Sequence, residues 1–383
     1  MTLITTTKEL KAFCKTLKDS EFITIDTEFM REKTYWPKLC LIQVAGSKNF
    51  AAIDPLAKDI DLKSFYKLLQ DEKILKVMHG CRQDIEIFYL LTGKIPTPLF
   101  DTQIAGMVCG FGDQISYEKL IKALVDERID KTSRYTDWSR RPLTDKQLSY
   151  ALSDVTHLRP AYEKLRERVD KFERISWLDD EFAVLGAPET YENKPEEAWH
   201  RIKIHSHHPR TLGILREVAA WRERMAQKKD VPRGRILRDD LLAEIASHPP
   251  TKMTDLKKIR NFPSGYLESE IGHQLLAATK HGMNIPEEEC PHRKKKPPMP
   301  AGLGPTIDLL RVLLKTKCEK HMVAPKLLAS ASDLELIAAF DDAKVRALSG
   351  WRREVFGEDA LNLKHGKLAL SIDEHREVKL ARI

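Results

Sequence analysis

Two acidic residues lie one residue apart inside an apolar stretch near the amino terminus, FITIDTEFM (Phe22–Met30). A β-strand projects alternate side chains to the same face, so Asp26 and Glu28 would stand side by side. Carboxylates this close repel, and each favours the protonated form of the other unless a cation lies between them. The spacing indicates a metal site, with an exposed strand end carrying solvated acids as the alternative.

Acidic residues later in the chain have matching ligand chemistry. Asp84 follows the strand-like ILKVMH near the start of a helical stretch, where helix capping would also explain it. Tyr150 and Asp154 are four residues apart in a helical pattern, so they share one face, although a surface contact would also explain that pair. These acids and the pair in the first strand offer only oxygen ligands, which suit Mg²⁺ or Mn²⁺ rather than zinc. Such a set can hold two divalent ions roughly 3.5–4 Å apart that promote phosphodiester hydrolysis.

The first half of the chain alternates strand-like and helix-like patterns. FITIDTEF, LCLIQVA and AAID read as early strands close enough for hairpin pairing, and ILKVMH reads as a further strand. LKSFYKLLQD and CRQDIEIFYLLTG read as helices, the second closed by Gly93. A long helical pattern that contains Tyr150 is expected to break at Pro160. This order predicts an α/β core with a mixed sheet and helices on its faces.

The composition changes after Leu185. A polar segment with prolines follows. From Arg210 onward only helical patterns occur, with no further strand, and they lie on both sides of the proline-rich basic stretch IPEEECPHRKKKPPMPAGLGP. DDLLAEIA and SDLELIAAF, on either side of that stretch, resemble each other, which indicates a duplicated small helical domain. The predicted organisation is an α/β domain at 1–185, a linker at 186–208, a helical domain at 209–285, a basic linker at 286–304 and a second helical domain at 305–383.

The composition is that of a globular chain of two or three domains. Its 383 residues contain no apolar run of about 18 residues and begin without a signal-peptide pattern, so a cytoplasmic protein is expected. The six cysteines form no CxxC pair, which argues against a disulfide framework or a zinc ribbon. Residues 200–296 contain 20 Lys and Arg against 12 Asp and Glu, an excess typical of a segment that meets a polyanion.

The order of the acids resembles that of the DEDDy 3′-to-5′ exonucleases, which carry Asp-x-Glu, Asp and Tyr-x-x-x-Asp in three motifs. The chain is similar to bacterial ribonuclease D in three blocks, DTEFMREKTYWPKLCLIQVA (Asp26–Ala45), VMHGCRQDIEIF (Val77–Phe88) and DKTSRYTDWSRRPLTDKQLSYALSDVTHL (Asp130–Leu158). The helical remainder resembles the HRDC domains that follow the nuclease domain in that family, the first more closely than the second. The resemblance implies a ribonuclease H-like α/β exonuclease domain followed by two all-α HRDC-type domains.

The resemblance also implies the roles of the motif residues. Asp26, Glu28 and Asp154 would hold the ion that binds the attacking water, while Asp26 and Asp84 would support a second ion. Tyr150 would orient the water or help to deprotonate it. Two Mg²⁺ or Mn²⁺ ions would serve hydrolysis of RNA from its 3′ end with release of nucleoside 5′-monophosphates. The implied substrates are transfer RNA precursors, and a monomer that does not bind membranes is expected.

Other functions are compatible with parts of the sequence. A 3′-to-5′ DNA exonuclease would use the same acids, because the contact to the 2′-hydroxyl cannot be located from the sequence. A noncatalytic nucleic-acid-binding protein would use only the basic helical domains, although retention of every motif residue argues against it. A helicase is excluded because the sequence has no GxxxxGK[ST] loop.

Two residue pairs near the motifs have alternative explanations. Arg140 and Arg141 in DWSRRPL could contact phosphate, although an exposed arginine pair needs no ligand. Tyr35 and Trp36 in KTYWPKL could grip a nucleotide or, as we favour, cover the sheet.

Overall fold

The computed structural model describes residues 2–129, 136–292 and 298–383. The first part of the third motif block, at 130–135, and the lysine-rich part of the predicted basic linker, at 293–297, lie outside the described residues. The chain forms a first unit (Met1–Glu28, Cys40–Thr190 and Pro298–Ile383) and a second unit (Phe29–Leu39 and Tyr191–Pro297). The domain boundaries expected from the sequence stay predictions, and the units group residues 305–383 with the α/β part.

The first unit is built on one mixed sheet. Within the described ranges its six strands are β1 (Leu3–Ile4), β2 (Phe22–Met30), β3 (Lys38–Ala45), β4 (Phe50–Ile53), β5 (Leu75–Met78) and β6 (Leu99–Asp101), in the order β1-β4-β3-β2-β5-β6. β3 and β4 pair antiparallel, whereas β2 with β5 and β5 with β6 pair parallel. Strands such as β3 are apolar on both faces because helices cover both sides of the sheet. The predicted mixed sheet is confirmed.

Helices cover the two faces of this sheet. They are α1 (Thr7–Thr16), α2 (Lys63–Leu69), α3 (Arg82–Thr92), α4 (Thr102–Met107), α5 (Tyr117–Val125), α6 (Asp145–Thr156), α7 (Leu158–Lys171) and α8 (Asp179–Leu185). The Thr24 hydroxyl donates to the Val155 carbonyl of α6 (2.7 Å), whereas the hydroxyl of Thr27, on the opposite face of β2, donates to Asp84 of α3. Asp26 and Glu28 share the face of Thr24, so they project towards the side of the sheet that α6 covers.

The two predicted helix boundaries have different outcomes. Gly93 closes α3 in the left-handed conformation (φ 69°), as predicted. The break expected at Pro160 falls instead at His157, between α6 and α7. Pro160 lies in the first turn of α7, where the missing N–H removes no helical hydrogen bond. The prediction was wrong because a proline is tolerated at that position.

The carboxyl-terminal helices complete the core of the first unit. They are α14 (Gly304–His321), α15 (Pro325–Leu328), α16 (Ala331–Ala339), α17 (Gly350–Arg352) and α18 (Glu358–Lys364), with a π-helical turn at Arg353–Gly357. The N–H of Ala324 donates to the carbonyl of Met107 (2.8 Å), and the rings of Trp177 and Trp351 stack with centroids 4.2 Å apart. Arg352 is buried and donates to a carboxylate of α8 (2.6 Å). Loss of these helices would therefore expose the core of the α/β part.

The expectation that no strand occurs after Arg210 was wrong. β7 (Leu368–Ile372) and β8 (Val378–Arg382) form an antiparallel hairpin at the end of the chain, so the region after the α/β part is mostly, not entirely, helical. The Asp373 carboxylate accepts the N–H groups of His375 and Glu377 (both 2.9 Å), which closes the turn. Much of β8 is exposed, so its sequence lacks the apolar alternation that identifies a strand packed on a core.

The second unit is helical apart from its segment 29–39. Its helices are α9 (Pro209–Lys229), α10 (Arg233–Ile236), α11 (Asp239–Ser247), α12 (Met253–Leu256) and α13 (Glu270–Asn284). The predicted linker 186–208 contains a 3₁₀-helix, Pro195–Arg201, whose Trp199 is buried in the core of this unit. The linker is therefore packed along part of its length.

Tyr35 belongs to a buried polar cluster of the second unit. Its hydroxyl donates to the carboxylate of Glu223, which also accepts two bonds from Arg233 (2.6 and 2.8 Å). The Asp230 carboxylate accepts the N–H groups of Tyr35 (3.0 Å) and Trp36 (2.9 Å). The expectation that Tyr35 covers the sheet was wrong, because its partners lie far away in sequence on α9 and α10.

Candidate active site

The acid pair of β2 meets the acid at the end of α6. Asp26, Glu28 and Asp154 each offer a carboxylate oxygen, and these oxygens lie within 4.8 Å of one another. The hydroxyl of Tyr117 donates to the carbonyls of Ser153 (3.1 Å) and Asp154 (2.6 Å), which holds the end of α6 in place. Two predicted site residues of β2 and a third that is distant in sequence thus form one ligand group.

Asp84 lies beside this group rather than in it. It occupies the first turn of α3, where it is buried and accepts the hydrogen bond from Thr27. Its charge is close enough to Asp26 to raise the pKa of that carboxyl. Helix capping, the simpler explanation from the sequence, leaves this repulsion unexplained. The structure therefore brings all four predicted acids into one neighbourhood.

Without a cation, these carboxylates repel one another. Burial raises the pKa of Asp26 well above its ordinary value, and repulsion from the neighbouring carboxylates adds to the shift. Burial also raises the pKa of Asp84 to about 7, although the hydrogen bond from Thr27 opposes this change. A hard divalent cation accepts only such oxygen ligands and would compensate the repulsion. The donor set therefore fits Mg²⁺ or Mn²⁺.

Tyr150 and the carboxylates share one cavity. A cavity of about 170 Å³ is lined by Asp26, Asp154 and Tyr150, among others. The ring of Tyr150 stacks on the buried ring of Trp138, with centroids 6.1 Å apart and an angle of 30° between the planes. The stack restricts the orientation of the phenol, so the cavity combines cation ligands with a positioned hydroxyl.

The sequence did not identify two further residues that line this cavity. Tyr117 anchors α6, and burial raises the pKa of its phenol, which therefore stays protonated. His79 contacts the Ile115 carbonyl (3.1 Å) and the Thr102 hydroxyl (3.0 Å), and burial lowers its pKa, which favours the neutral ring. The only sequence signal for His79 was its place at the end of the predicted strand ILKVMH, inside the second block VMHGCRQDIEIF.

Comparisons with known proteins show the family to which this chain belongs. The sequence model of the 3′-5′ exonuclease family matches residues 1–170, and that of the HRDC domain matches residues 211–279. A ribonuclease D of Granulibacter bethesdensis is 47% identical over 99% of this chain and 96% of its own length. A ribonuclease D of Nitrobacter hamburgensis is 47% identical over all of both chains. The chain belongs to the ribonuclease D family.

A solved structure agrees with this assignment. The crystal structure of Escherichia coli RNase D, described as an exoribonuclease involved in structured RNA processing, has a TM-score of 0.81 and 28% identity, covering 95% of this chain and 98% of that one. The predicted resemblance and the predicted 3′-to-5′ exoribonuclease activity are confirmed. Like other ribonuclease D exonuclease domains, this one is metal-dependent.

None of the helices in the described ranges of this ribonuclease D is long and apolar enough to cross a bilayer.

Arg141, a candidate for phosphate contact, holds the loop before α6 in this ribonuclease D. It donates to both carboxylate oxygens of Asp54 (2.6 and 2.7 Å), to the carbonyl of Cys40 (2.6 Å) and to that of Trp138 (2.8 Å). Asp54 is buried directly after β4. Because its guanidinium is occupied by these bonds, Arg141 holds Trp138 under the Tyr150 ring rather than a substrate phosphate.

Substitution of Arg141 by lysine should destabilise the protein by about 2 kcal/mol. Lysine keeps the charge but cannot reproduce the two parallel bonds to the buried Asp54 carboxylate. Urea unfolding measures the effect. Arg140→Lys is the matched control, because Arg140 is exposed and pairs with the exposed Asp137, and this substitution should change stability by less than about 0.5 kcal/mol. Equal effects of the two substitutions would contradict the anchoring role.

Divalent ions should stabilise this ribonuclease D more at pH 8 than at pH 5. The pKa of Asp84 rises from an ordinary 3.8 to about 7 on folding, so the metal-free fold binds more protons than the unfolded chain across that interval. Its stability therefore falls as the pH rises from about 4 to about 7, and bound cations would offset the loss. Thermal unfolding with Mg²⁺ or with a chelator should show a Tm gain at least about 3 °C larger at pH 8. An equal gain at both pH values would contradict the prediction.

Proposed function

We propose that this ribonuclease D trims the 3′ ends of transfer RNA precursors by two-cation hydrolysis, releasing nucleoside 5′-monophosphates. The observation that carries the proposal is the approach of the Asp26, Glu28 and Asp154 oxygens to within 4.8 Å of one another. The E. coli relative is an exoribonuclease involved in structured RNA processing, which supports a structured RNA as the substrate.

The proposed site binds cations and phosphate together. Asp26, Glu28 and Asp154 would hold one divalent cation, and Asp26 with Asp84 a second. Bound cations supply charge stabilisation to the phosphodiester and lower the pKa of an attacking water. The carboxylates must be ionised to bind them, which the raised pKa values of Asp26 and Asp84 oppose in the metal-free protein. Cation binding and ionisation of the cluster are therefore coupled.

Tyr150 would position the attacking water. A phenol has an ordinary pKa of about 10, so it is a poor base at neutral pH and a good hydrogen-bond donor or acceptor. Its ring is held against Trp138, so the hydroxyl is presented to the cavity at little entropic cost. The helical regions would hold the structured part of the RNA while its single-stranded 3′ end enters the cavity.

Mass analysis of the products from a transfer RNA with a 3′ extension tests this proposal. The expected products are nucleoside 5′-monophosphates and an RNA shortened from the 3′ end, with no product when a chelator is present. Nucleoside 3′-phosphates or internal fragments would contradict it. A DNA of the same extension sequence, assayed at equal salt, tests the DNA exonuclease alternative, and equal digestion of the two would favour that alternative.

A further inference from the structure

A groove lined by lysines lies between α1 and α2 of the first unit, apart from the carboxylate cavity. Its volume is about 410 Å³, and its charged lining consists of Lys11, Lys15, Lys18 and Lys67, with Asp71 as the acidic member. All four lysine side chains are exposed, whereas Cys14 between them is buried. The groove therefore presents amines to the solvent above an apolar floor.

The lysines stand together because of their spacing. Lys11 and Lys15 are four residues apart and Lys18 follows three later, so all three lie on one side of α1 and the turn after it. Leu10 and Leu17 are buried on the other side and fix that orientation. Seven residues of helix advance by roughly 10 Å, so the amines form a row rather than a single point charge.

These amines are less neutralised by carboxylates than some other lysines of the first unit, although the charge of Lys11 lowers the pKa of Asp61. Within the described residues, no ion pair involves any of the four groove lysines, whereas Lys317 pairs with Asp359 and Lys379 with Asp373 in the larger groove beside the terminal hairpin. Like charges in a row repel one another. A row of phosphates is the partner that would reverse this repulsion.

The groove and the acid pair Asp26 and Glu28 lie on different faces of the sheet. Phe65 of α2 contacts Phe88 of α3 (centroids 5.9 Å apart), so α2 and the groove are on the α3 side. Asp26 and Glu28 share the face of β2 that meets α6. A ligand that occupies both must extend around the sheet, so the groove is expected to contact the body of a long RNA rather than the nucleotides at its 3′ end.

We propose that the α1–α2 groove binds the phosphate backbone of the folded body of an RNA whose 3′ end occupies the carboxylate cavity. The inference rests on the proposed function for its substrate class. It assigns to the exonuclease domain a phosphate-binding surface of its own, in addition to the helical regions. The contribution should be electrostatic, independent of base sequence and dependent on the length of the RNA.

The test is the full-length protein with Lys11→Gln, Lys15→Gln and Lys18→Gln combined. The matched control combines Lys94→Gln, Lys171→Gln and Lys344→Gln, which removes the same charge at exposed positions elsewhere. With a 3′-extended transfer RNA, the groove variant should raise KM about tenfold at unchanged kcat and lower the salt slope of binding by about 2. With a single-stranded RNA of about five nucleotides, neither variant should change KM. Equal KM values for the groove variant and the control, or an equal rise on the short RNA, would overturn the proposal.

A second measurement does not depend on activity. Amine acetylation of the wild-type protein in chelator, read by mass spectrometry, should show Lys11, Lys15, Lys18 and Lys67 protected by the transfer RNA but not by a mononucleotide, while Lys344 stays reactive. Unchanged acetylation of the groove lysines in the RNA-bound protein would overturn the proposal that the groove binds RNA. Protection of these lysines in chelator, together with no trimming of the same RNA when Mg²⁺ is in excess, would instead refute the proposed function and leave the groove assignment intact.

Discussion

Replacing Asp26 with asparagine should lower the turnover of RNA by about 10³-fold or more. Asp26 belongs to the ligand group with Glu28 and Asp154, and the charge of Asp84 acts on it, so both proposed cation positions would lose a ligand. A loss of this size corresponds to about 4 kcal/mol of transition-state stabilisation. The assay is nucleotide release from a 3′-labelled RNA with Mg²⁺ in excess.

The same substitution should stabilise the metal-free protein by about 1 kcal/mol or more. It removes a carboxylate whose pKa is raised by desolvation and by repulsion from the neighbouring carboxylates. Urea unfolding in chelator measures this gain, and Asp19→Asn, at an exposed position, should change neither turnover nor stability. Undiminished turnover of the Asp26 variant would refute the catalytic assignment. A loss of turnover together with a loss of stability would point to misfolding.

Replacing Tyr150 with phenylalanine should lower kcat by about 10²-fold and leave KM nearly unchanged. The substitution keeps the ring that stacks on Trp138 and removes only the hydroxyl that would position the water. Steady-state kinetics on a labelled single-stranded RNA separate the two parameters.

The matched control for this prediction is Tyr66→Phe. Tyr66 is also half-buried, but it lies on α2 and does not line the cavity. The control should retain the turnover of the wild-type protein. If Tyr150→Phe also retained the wild-type turnover, Tyr150 would have only a packing role against Trp138. An increase in KM alone would assign Tyr150 to substrate binding.

The types of side chain at the candidate site, and the faces that they share, could be predicted from the sequence. The period of two in a strand put Asp26 and Glu28 on one face, and the four-residue spacing in a helix put Tyr150 and Asp154 on another. These spacings survive folding because they depend only on backbone geometry. The glycine closing α3 was predicted on the same basis, since Gly93 adopts a left-handed conformation that few other residues tolerate.

Other side chains depend on partners that are distant in sequence, and local sequence patterns do not specify such partners. From the sequence, Arg141 was a candidate phosphate ligand, but in the structure its guanidinium binds Asp54, which is far away in sequence. Tyr35 looked like a loop aromatic, but Glu223 of the second unit binds its hydroxyl. In both cases a polar side chain is buried against a distant polar partner, and no periodicity in the sequence encodes such a pairing.

The sequence by itself determined the chemical identity of the site, an all-oxygen set of acids with a phenol, and the α/β pattern of strands and helices that carries it. Only the tertiary structure decided that the end of α6 meets β2, that burial raises the pKa of Asp26, and that the carboxyl-terminal helices complete the core of the first unit. Apolar periodicity shows which face of an element will be buried, but the element that covers this face is selected by packing among segments hundreds of residues apart.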